Sequence, residues 1–298
     1  MNKIAGKYKW GLCLLVAIVY FFLWFCFSGY PGSFFSGDQG MKFIQIRRLS
    51  QGKLTIGYPG KAIDPDYQFF PFHPPFTYTF EEGITTAYLN LNTYLSSVFY
   101  RLGGWRGCYL FPCLLSLCCF LLVCKISSVE PGFSSRVSVI LLAFASPFVL
   151  MSVVLQEFTL AAGFILAAAL FLIRPEGLDL RNQSSLFAGV FLAMAVITRQ
   201  ETILLALAWG LSLYLIHSPK RPVLRSLFWH ATGMMIPLFI YLLIEIILFG
   251  RIVELDKFRM LQTAGQATPR GWLEERFTHL FNFLFGLVTM RGERRYPL

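Results

Sequence analysis

Long apolar stretches alternate with short polar interruptions along most of this chain. They run Trp10–Phe27, Cys108–Cys124, Val137–Leu155, Phe158–Ile173, Leu186–Ile197, Ile203–Ile216 and Leu227–Phe249. A bilayer's hydrocarbon core takes about 20 apolar residues as helix. Several of these stretches are shorter, which predicts spans that are tilted, re-entrant or continuous with a neighbour. Ile84–Tyr100 is a weaker stretch, interrupted by Thr85, Thr86, Asn90, Asn92, Thr93, Ser96 and Ser97. The pattern predicts an all-α fold, a polytopic transmembrane helical bundle with a large external loop after the first span. As one domain, 1–298, it divides into a first span (10–27), an external loop with interfacial helices (28–107), a helical bundle (108–249), and a further external loop with an incomplete C-terminal part (250–298).

The first stretch follows Lys3, Lys7 and Lys9. A cleavable signal peptide has an apolar region of about 7–15 residues and a small-residue cleavage site. This stretch is longer and has no such site, so it reads as a retained anchor with a cytoplasmic N-terminus. His217–Ser226 holds Lys220, Arg221 and Arg225 and no acid, which places it inside. Counting back from there puts Thr198–Glu201 and Gln156-Glu157 outside and Lys125–Arg136 inside. Residues 28–107 are then wholly external, provided Ile84–Tyr100 lies at the interface or re-enters instead of crossing. Asp38, Glu157, Arg199 and Glu201 thereby arrive at one outer face from separate positions in the chain.

Composition agrees with a membrane protein. The chain is 56% hydrophobic and 14% charged, against roughly 25% charged in soluble domains. Its net charge of +10 is spread over span-flanking loops, where basic residues set topology, so no nucleic-acid partner is expected. Cys13, Cys26, Cys108, Cys113, Cys118, Cys119 and Cys124 all fall in apolar stretches at no metal-binding spacing, and read as small packing residues. There is no P-loop, dinucleotide-binding glycine pattern, HExxH or nucleophile elbow.

Candidate chemistry sits in the interruptions. Asp38 opens a run, Gly37–Ser50, that reads as a short amphipathic helix with Met41, Ile44 and Leu49 on one side and Lys42, Arg47 and Arg48 on the others. An Asp between glycines before such a run is also a helix N-cap signal, and a cap would hold the carboxylate in place. The segment Gly57–Thr79 interleaves five prolines with aromatic rings and reads as stiff and extended. Asp64 and Asp66 flank Pro65 there. They suit an Asp-Pro turn, or a cation or sugar-hydroxyl contact with aromatic faces for sugar rings. His73 is a structural or a catalytic histidine. Glu157 is a charge between two apolar stretches, either in a solvated turn or in a functional role. In Thr198–Glu201, Arg199 pairs with Glu201 or meets an anionic headgroup or pyrophosphate. Glu245 lies near the end of the last strong span.

The order of these features resembles the GT-C superfamily of polytopic glycosyltransferases, such as protein O-mannosyltransferases and the lipid A aminoarabinose transferase. The features are a first span, an external loop opening with an Asp motif, a Pro-aromatic segment, an acid before an apolar helix (Gln156–Ala161), and the Thr-Arg-Gln-Glu turn at 198–201. The motif Gly37–Gln45 is most similar to a group of glycosyltransferases of Leptospira. The likeness covers roughly residues 8–250. It implies inverting transfer of a sugar from a polyprenyl-phosphate donor to a glycan, lipid or protein acceptor, at the outer face of a bacterial inner membrane. It implies Asp38 as the catalytic acid of the first external loop, acting as base or through a divalent cation. Arg199 would stand near the donor phosphate, and Glu157 matches an acid commonly found at its point in the family. On the residues themselves, Lys42 would help Arg199, and Asp64, Asp66, His73 and Glu201 would be further substrate contacts. Two departures matter. Many relatives carry a second acid directly after the loop Asp, where this chain has Gln39. Relatives are also longer, so the resemblance raises the expectation of a C-terminally truncated copy. The competing readings are a transporter or lipid flippase with charges lining a path, and an inactive remnant.

Overall fold

The computed structural model describes residues 2–29, 34, 36–67, 70, 77–80, 83–86, 90–127, 133–174, 177–178, 181–217 and 221–249. His73 and the C-terminal segment 250–298 lie outside the described residues. By compactness the chain divides into two units, Met1–Leu248 and Phe249–Leu298, and the elements below belong to the first.

The described chain is mostly helical. Its helices are α1 (Asn2–Phe27), α2 (Gly37–Ser50), α3 (Leu91–Ile126), α4 (Phe133–Ala145), α5 (Phe148–Met151), α6 (Phe158–Leu172), α7 (Asn182–Thr198), α8 (Thr202–His217) and α9 (Arg221–Phe249). Two small antiparallel hairpins depart from the expected all-α chain. Strand β1 (Thr77–Phe80) pairs with β2 (Gly83–Thr86) in the register Thr77↔Thr86 to Phe80↔Gly83, and β3 (Ile173–Arg174) pairs with β4 (Gly177–Leu178). Two helices, Leu91–Ile126 and Val223–Ile247, are long and apolar enough to cross a membrane.

The first of these is bent. Asn90 caps it, with the Thr93 amide donating to Asn90 Oδ1 and the Asn90 amide donating to Thr93 Oγ1, the reciprocal bonds of a capping box. The helical path breaks at Gly103 and Gly104, and Gly104 takes φ +58°, a conformation glycine adopts without a Cβ clash. The rings of Phe99 and Phe111 then lie 4.9 Å apart. In a straight helix their backbones would be about 18 Å apart at 1.5 Å per residue. A Cβ on Gly107 would run into the Phe99 carbonyl, so the two arms touch backbone to backbone. The weak stretch at 84–100 is therefore strand β2 followed by one arm of a helical hairpin. Its polar residues Asn92, Thr93, Ser96 and Ser97 are buried.

The stretch Val137–Leu155 is also not one helix. It breaks at Ser146-Pro147, where the proline supplies no amide hydrogen. The Ser146 hydroxyl donates to the Leu142 carbonyl and accepts from the Phe148 amide. One core cluster joins Val16 and Tyr20 of α1, Cys113 and Phe120 of α3, and Val139 and Ala143 of α4. Tyr20 donates its hydroxyl to the Ala143 carbonyl at 3.2 Å. A second cluster packs Ala168 and Leu172 of α6 against Ala188 and Leu192 of α7 and Ala206 of α8. Its small residues let the helices approach closely. The α7–α9 crossing is closer still: a Cβ on Gly189 would strike the His230 carbonyl, and one on Gly233 the Leu186 carbonyl. None of the seven cysteines is in a disulfide; Cys108, Cys113 and Cys119 are buried as packing residues, while Cys26 and Cys118 are exposed.

Candidate functional site

Helix α2 is the floor of the site, and it packs the reverse of the expected amphipathic helix. Gln39, Lys42 and Gln45 are buried together with Met41 and Ile46, whereas Ile44 is exposed. The three polar residues stand at i, i+3 and i+6, one face of a helix. Two of the three inward groups, Lys42 and Gln45, find specific partners there. Gln45 donates from Nε2 to the Leu54 carbonyl at 2.8 Å and accepts at Oε1 from the Thr86 hydroxyl at 3.2 Å. Lys42 donates from Nζ to Gln156 Oε1 at 2.6 Å and to Glu157 Oε2 at 2.5 Å. Burying an ammonium without such partners costs several kcal/mol or shifts it to the neutral form.

Asp38 is not the cap. The cap position is Ser36, which is extended and makes no side-chain cap bond, and Asp38 sits in the first turn. There the helix dipole favours a negative charge. Asp38 is half-buried, one helical turn before Lys42. Among the described residues none bonds to its carboxylate. Gln39 beside it is buried, with Oε1 lacking a partner.

Two turns bring the remaining charges to α2. Before α6, the Gln156 amide bonds to the Val154 carbonyl and the Ala161 amide to the Glu157 carbonyl. Glu157 thus starts α6 through its backbone, makes no side-chain cap bond, and turns its carboxylate to Lys42. At the end of α7, the Thr198 hydroxyl bonds back to the Met194 carbonyl at 2.8 Å. Arg199 then becomes extended, and its carbonyl accepts from the Thr202 hydroxyl at 2.7 Å, so α8 begins three residues on. This tight turn presents the Arg199 guanidinium over the Phe158 ring, 3.8 Å from its centroid. The guanidinium reaches Glu157 Oε1 at 3.9 Å and Glu201 Oε1 at 3.3 Å.

Lys42, Glu157, Arg199 and Glu201 therefore form one chain of alternating charges across three chain segments, with Asp38 a turn away on α2. The contacts are unequal. Lys42 and Glu157 are 2% and 14% exposed, whereas Arg199 is 22% and Glu201 53% exposed. Lys42, expected beside the donor phosphate, is instead buried and neutralised by Glu157. Its role is to hold Glu157.

The described part of the Pro-aromatic loop packs on the same helix at Met41. Tyr67, Phe70, Ile56 and Ile84 cluster with Met41 of α2, and Tyr58 packs on them. Tyr58 donates to Asp64 Oδ2 at 3.1 Å. Partial desolvation, and then this bond, hold the Tyr58 phenol above its ordinary range. Asp64 is buried within the loop, Asp66 is exposed, and Tyr67 takes φ +58°, a strained conformation for an aromatic residue. Asp64 thus takes part in building the loop.

The resemblance implied Asp38 acting as base or through a divalent cation. Gln39 stands where many relatives carry a second acid, and among the described residues no group of three or more His, Cys, Asp or Glu is placed to hold a metal ion. Sequence reasoning passed over Gln45, Gln156 and Phe158 as site residues. The i, i+3, i+6 spacing of Gln39, Lys42 and Gln45 was the signal for the first. Phe158 carries none, since it stands within an apolar run. No family model matches this chain, and neither does any curated protein or solved structure.

Proposed function

We propose that this chain is a polytopic membrane glycosyltransferase of GT-C type, inserted in a bacterial inner membrane with a cytoplasmic N-terminus. It transfers a sugar, with inversion, from a polyprenyl-phosphate donor to an acceptor hydroxyl at the outer face. The observation that carries this reading is the meeting of Lys42, Glu157 and Arg199, with Asp38 one turn before Lys42 on α2 and without a bond to its carboxylate among the described residues. These are the charges that the order of motifs assigns to such a site. Membrane insertion is supported by α9, whose Met235, Ile236, Phe239, Ile240, Leu243 and Ile247 are all exposed. A core helix of a soluble protein buries such residues.

In this mechanism Asp38 takes the proton of the acceptor hydroxyl as its oxygen attacks the anomeric carbon. The bond from that carbon to the phosphate oxygen breaks, and the lipid phosphate leaves as an anion. Arg199 stabilises the charge on it, since its guanidinium is the accessible cation of the cluster. Phe158 supports the guanidinium plane, and the Lys42–Glu157 pair fixes its height above α2.

The test is an outer-leaflet transfer assay with Asp38→Asn. Loss of a general base lowers rates by about 10²–10⁴-fold, so transfer at the wild-type rate removes Asp38 from the mechanism. Cysteine-accessibility mapping tests the topology independently. Labelling at 157 or 199 from the cytoplasmic side alone overturns both the orientation and the site.

A further inference from the structure

The four charges of the site differ in how firmly they are held, and the difference falls on one side chain. Glu157 is held at 2.5 Å by a buried lysine. Arg199 touches Glu157 only at 3.9 Å, and its closer partner is Glu201 at 3.3 Å. Glu201 is more than half exposed and immediately precedes α8. Its hydrogen bond to Arg199 spans two residues of one turn, so releasing it moves no helix. The Phe158 ring covers one face of the guanidinium, which leaves the N–H edge, now shared between the two carboxylates, as the way in.

We propose that Glu201 is a built-in stand-in for the ligand's phosphate: it occupies the Arg199 N–H edge in the empty site and is displaced when a phosphate monoester or diester anion arrives. Exchange of one exposed carboxylate for a phosphate keeps the guanidinium paired throughout, so the site never holds a bare cation at the membrane surface. A phosphate offers Arg199 a bidentate partner, which Glu201, reaching it through a single oxygen, does not. Glu157 stays on Lys42 during the exchange and keeps the guanidinium from following the ligand outward. The proposal rests on Arg199 being the phosphate contact, and it makes Glu201 a competitor of the ligand where the sequence suggested a contact.

Direct binding to the full chain in nanodiscs tests this with three probes: a polyprenyl phosphate, the matching neutral polyprenol, and inorganic phosphate. Glu201→Gln removes the competing charge and keeps the shape. It is expected to bind polyprenyl phosphate about fivefold tighter, the upper range for loss of an exposed ion pair, with polyprenol unchanged. Arg199→Gln is expected to lose at least about tenfold for the same phosphate probe. An equal gain for inorganic phosphate assigns the exchange to the phosphate alone, and a gain confined to the lipid assigns it to the headgroup in its membrane setting; both support the stand-in. Unchanged or weaker binding of both anions by Glu201→Gln overturns it. Glu201→Ala repeats the comparison if the glutamine variant does not fold, and loss of the fold in both also overturns it, because a displaceable side chain is dispensable to folding. Anion exchange without sugar transfer from any donor leaves this proposal standing and removes the glycosyltransferase reading.

Discussion

Helices α2 and α9 are built on opposite rules. In α2 the buried face carries Gln39, Lys42 and Gln45, while Ile44 looks outward. In α9 the exposed positions include Met235, Ile236, Phe239, Ile240, Leu243 and Ile247, and the buried ones include Ser226, His230 and Glu245. Both helices depart from the soluble-protein pattern of apolar inside and polar outside, α2 only in part, since Met41 and Ile46 are buried beside its polar residues. The departure has a different character in each. A polar face turns inward on α2 because partners wait for it: Thr86, the Leu54 carbonyl, Gln156 and Glu157. The outward apolar face of α9 suits the proposed membrane insertion, since hydrocarbon around it would remove the penalty for exposure.

The comparison breaks most sharply at Lys42. Lys42→Met leaves the Glu157 carboxylate against an apolar side chain, and removal of one partner of a buried pair costs about 3–5 kcal/mol. Thermal unfolding in detergent should show it as a large drop in midpoint, and addition of Glu157→Gln should recover part of the loss. If the single variant melts as wild type does, the burial of the pair has no energetic consequence. Next is the centre of the other helix. Met235→Asp places a carboxylate midway along the apolar segment Val223–Ile247. In a membrane this costs about 2.5–3.5 kcal/mol on insertion scales, read as reduced insertion in a glycosylation-reporter assay. At an exposed position of a soluble protein the same change stays within about 0.5 kcal/mol, so normal insertion and stability would place α9 in water. The smallest of the three effects is at Gln45→Ala, which strands the Leu54 carbonyl and the Thr86 hydroxyl at a cost of about 1–3 kcal/mol. Faster amide exchange at Thr86, whose amide also faces Gln45, is the local measurement. Unaltered exchange there means that water replaces the glutamine and that the α2 face is wetter than its burial indicates.

The interruptions of the apolar pattern were legible. Counting basic loops brought Glu157, Arg199 and Glu201 to the side of Asp38, and the contacts among Lys42, Glu157, Arg199 and Glu201 join three of these segments. What misled was treating α2 as a surface helix. Its apolar residues Met41, Ile44 and Leu49 suggested one buried face, but Ile44 is exposed and the glutamines are not. Hydrophobic periodicity records which positions prefer oil, and it cannot register a polar face whose partners come from other segments. Asp64 illustrates the same limit. Its proline neighbours marked a turn, and the tyrosine that satisfies it, Tyr58, lies close in sequence but carries no signal of facing it.

The amino-acid sequence by itself determined that this chain is mostly helix, where its long apolar runs lie, and where charge interrupts them. These are local properties, set by each residue's transfer free energy and by the backbone preferences of glycine and proline. Tertiary structure alone decided that Lys42 belongs to Glu157, 115 residues away, that α3 folds back on itself at Gly103-Gly104, and that Arg199 rests on Phe158 with Glu201 at its open edge. Each of those depends on which distant segment fills the space beside a residue. A charge in a dry setting is stable only when its partner arrives there too.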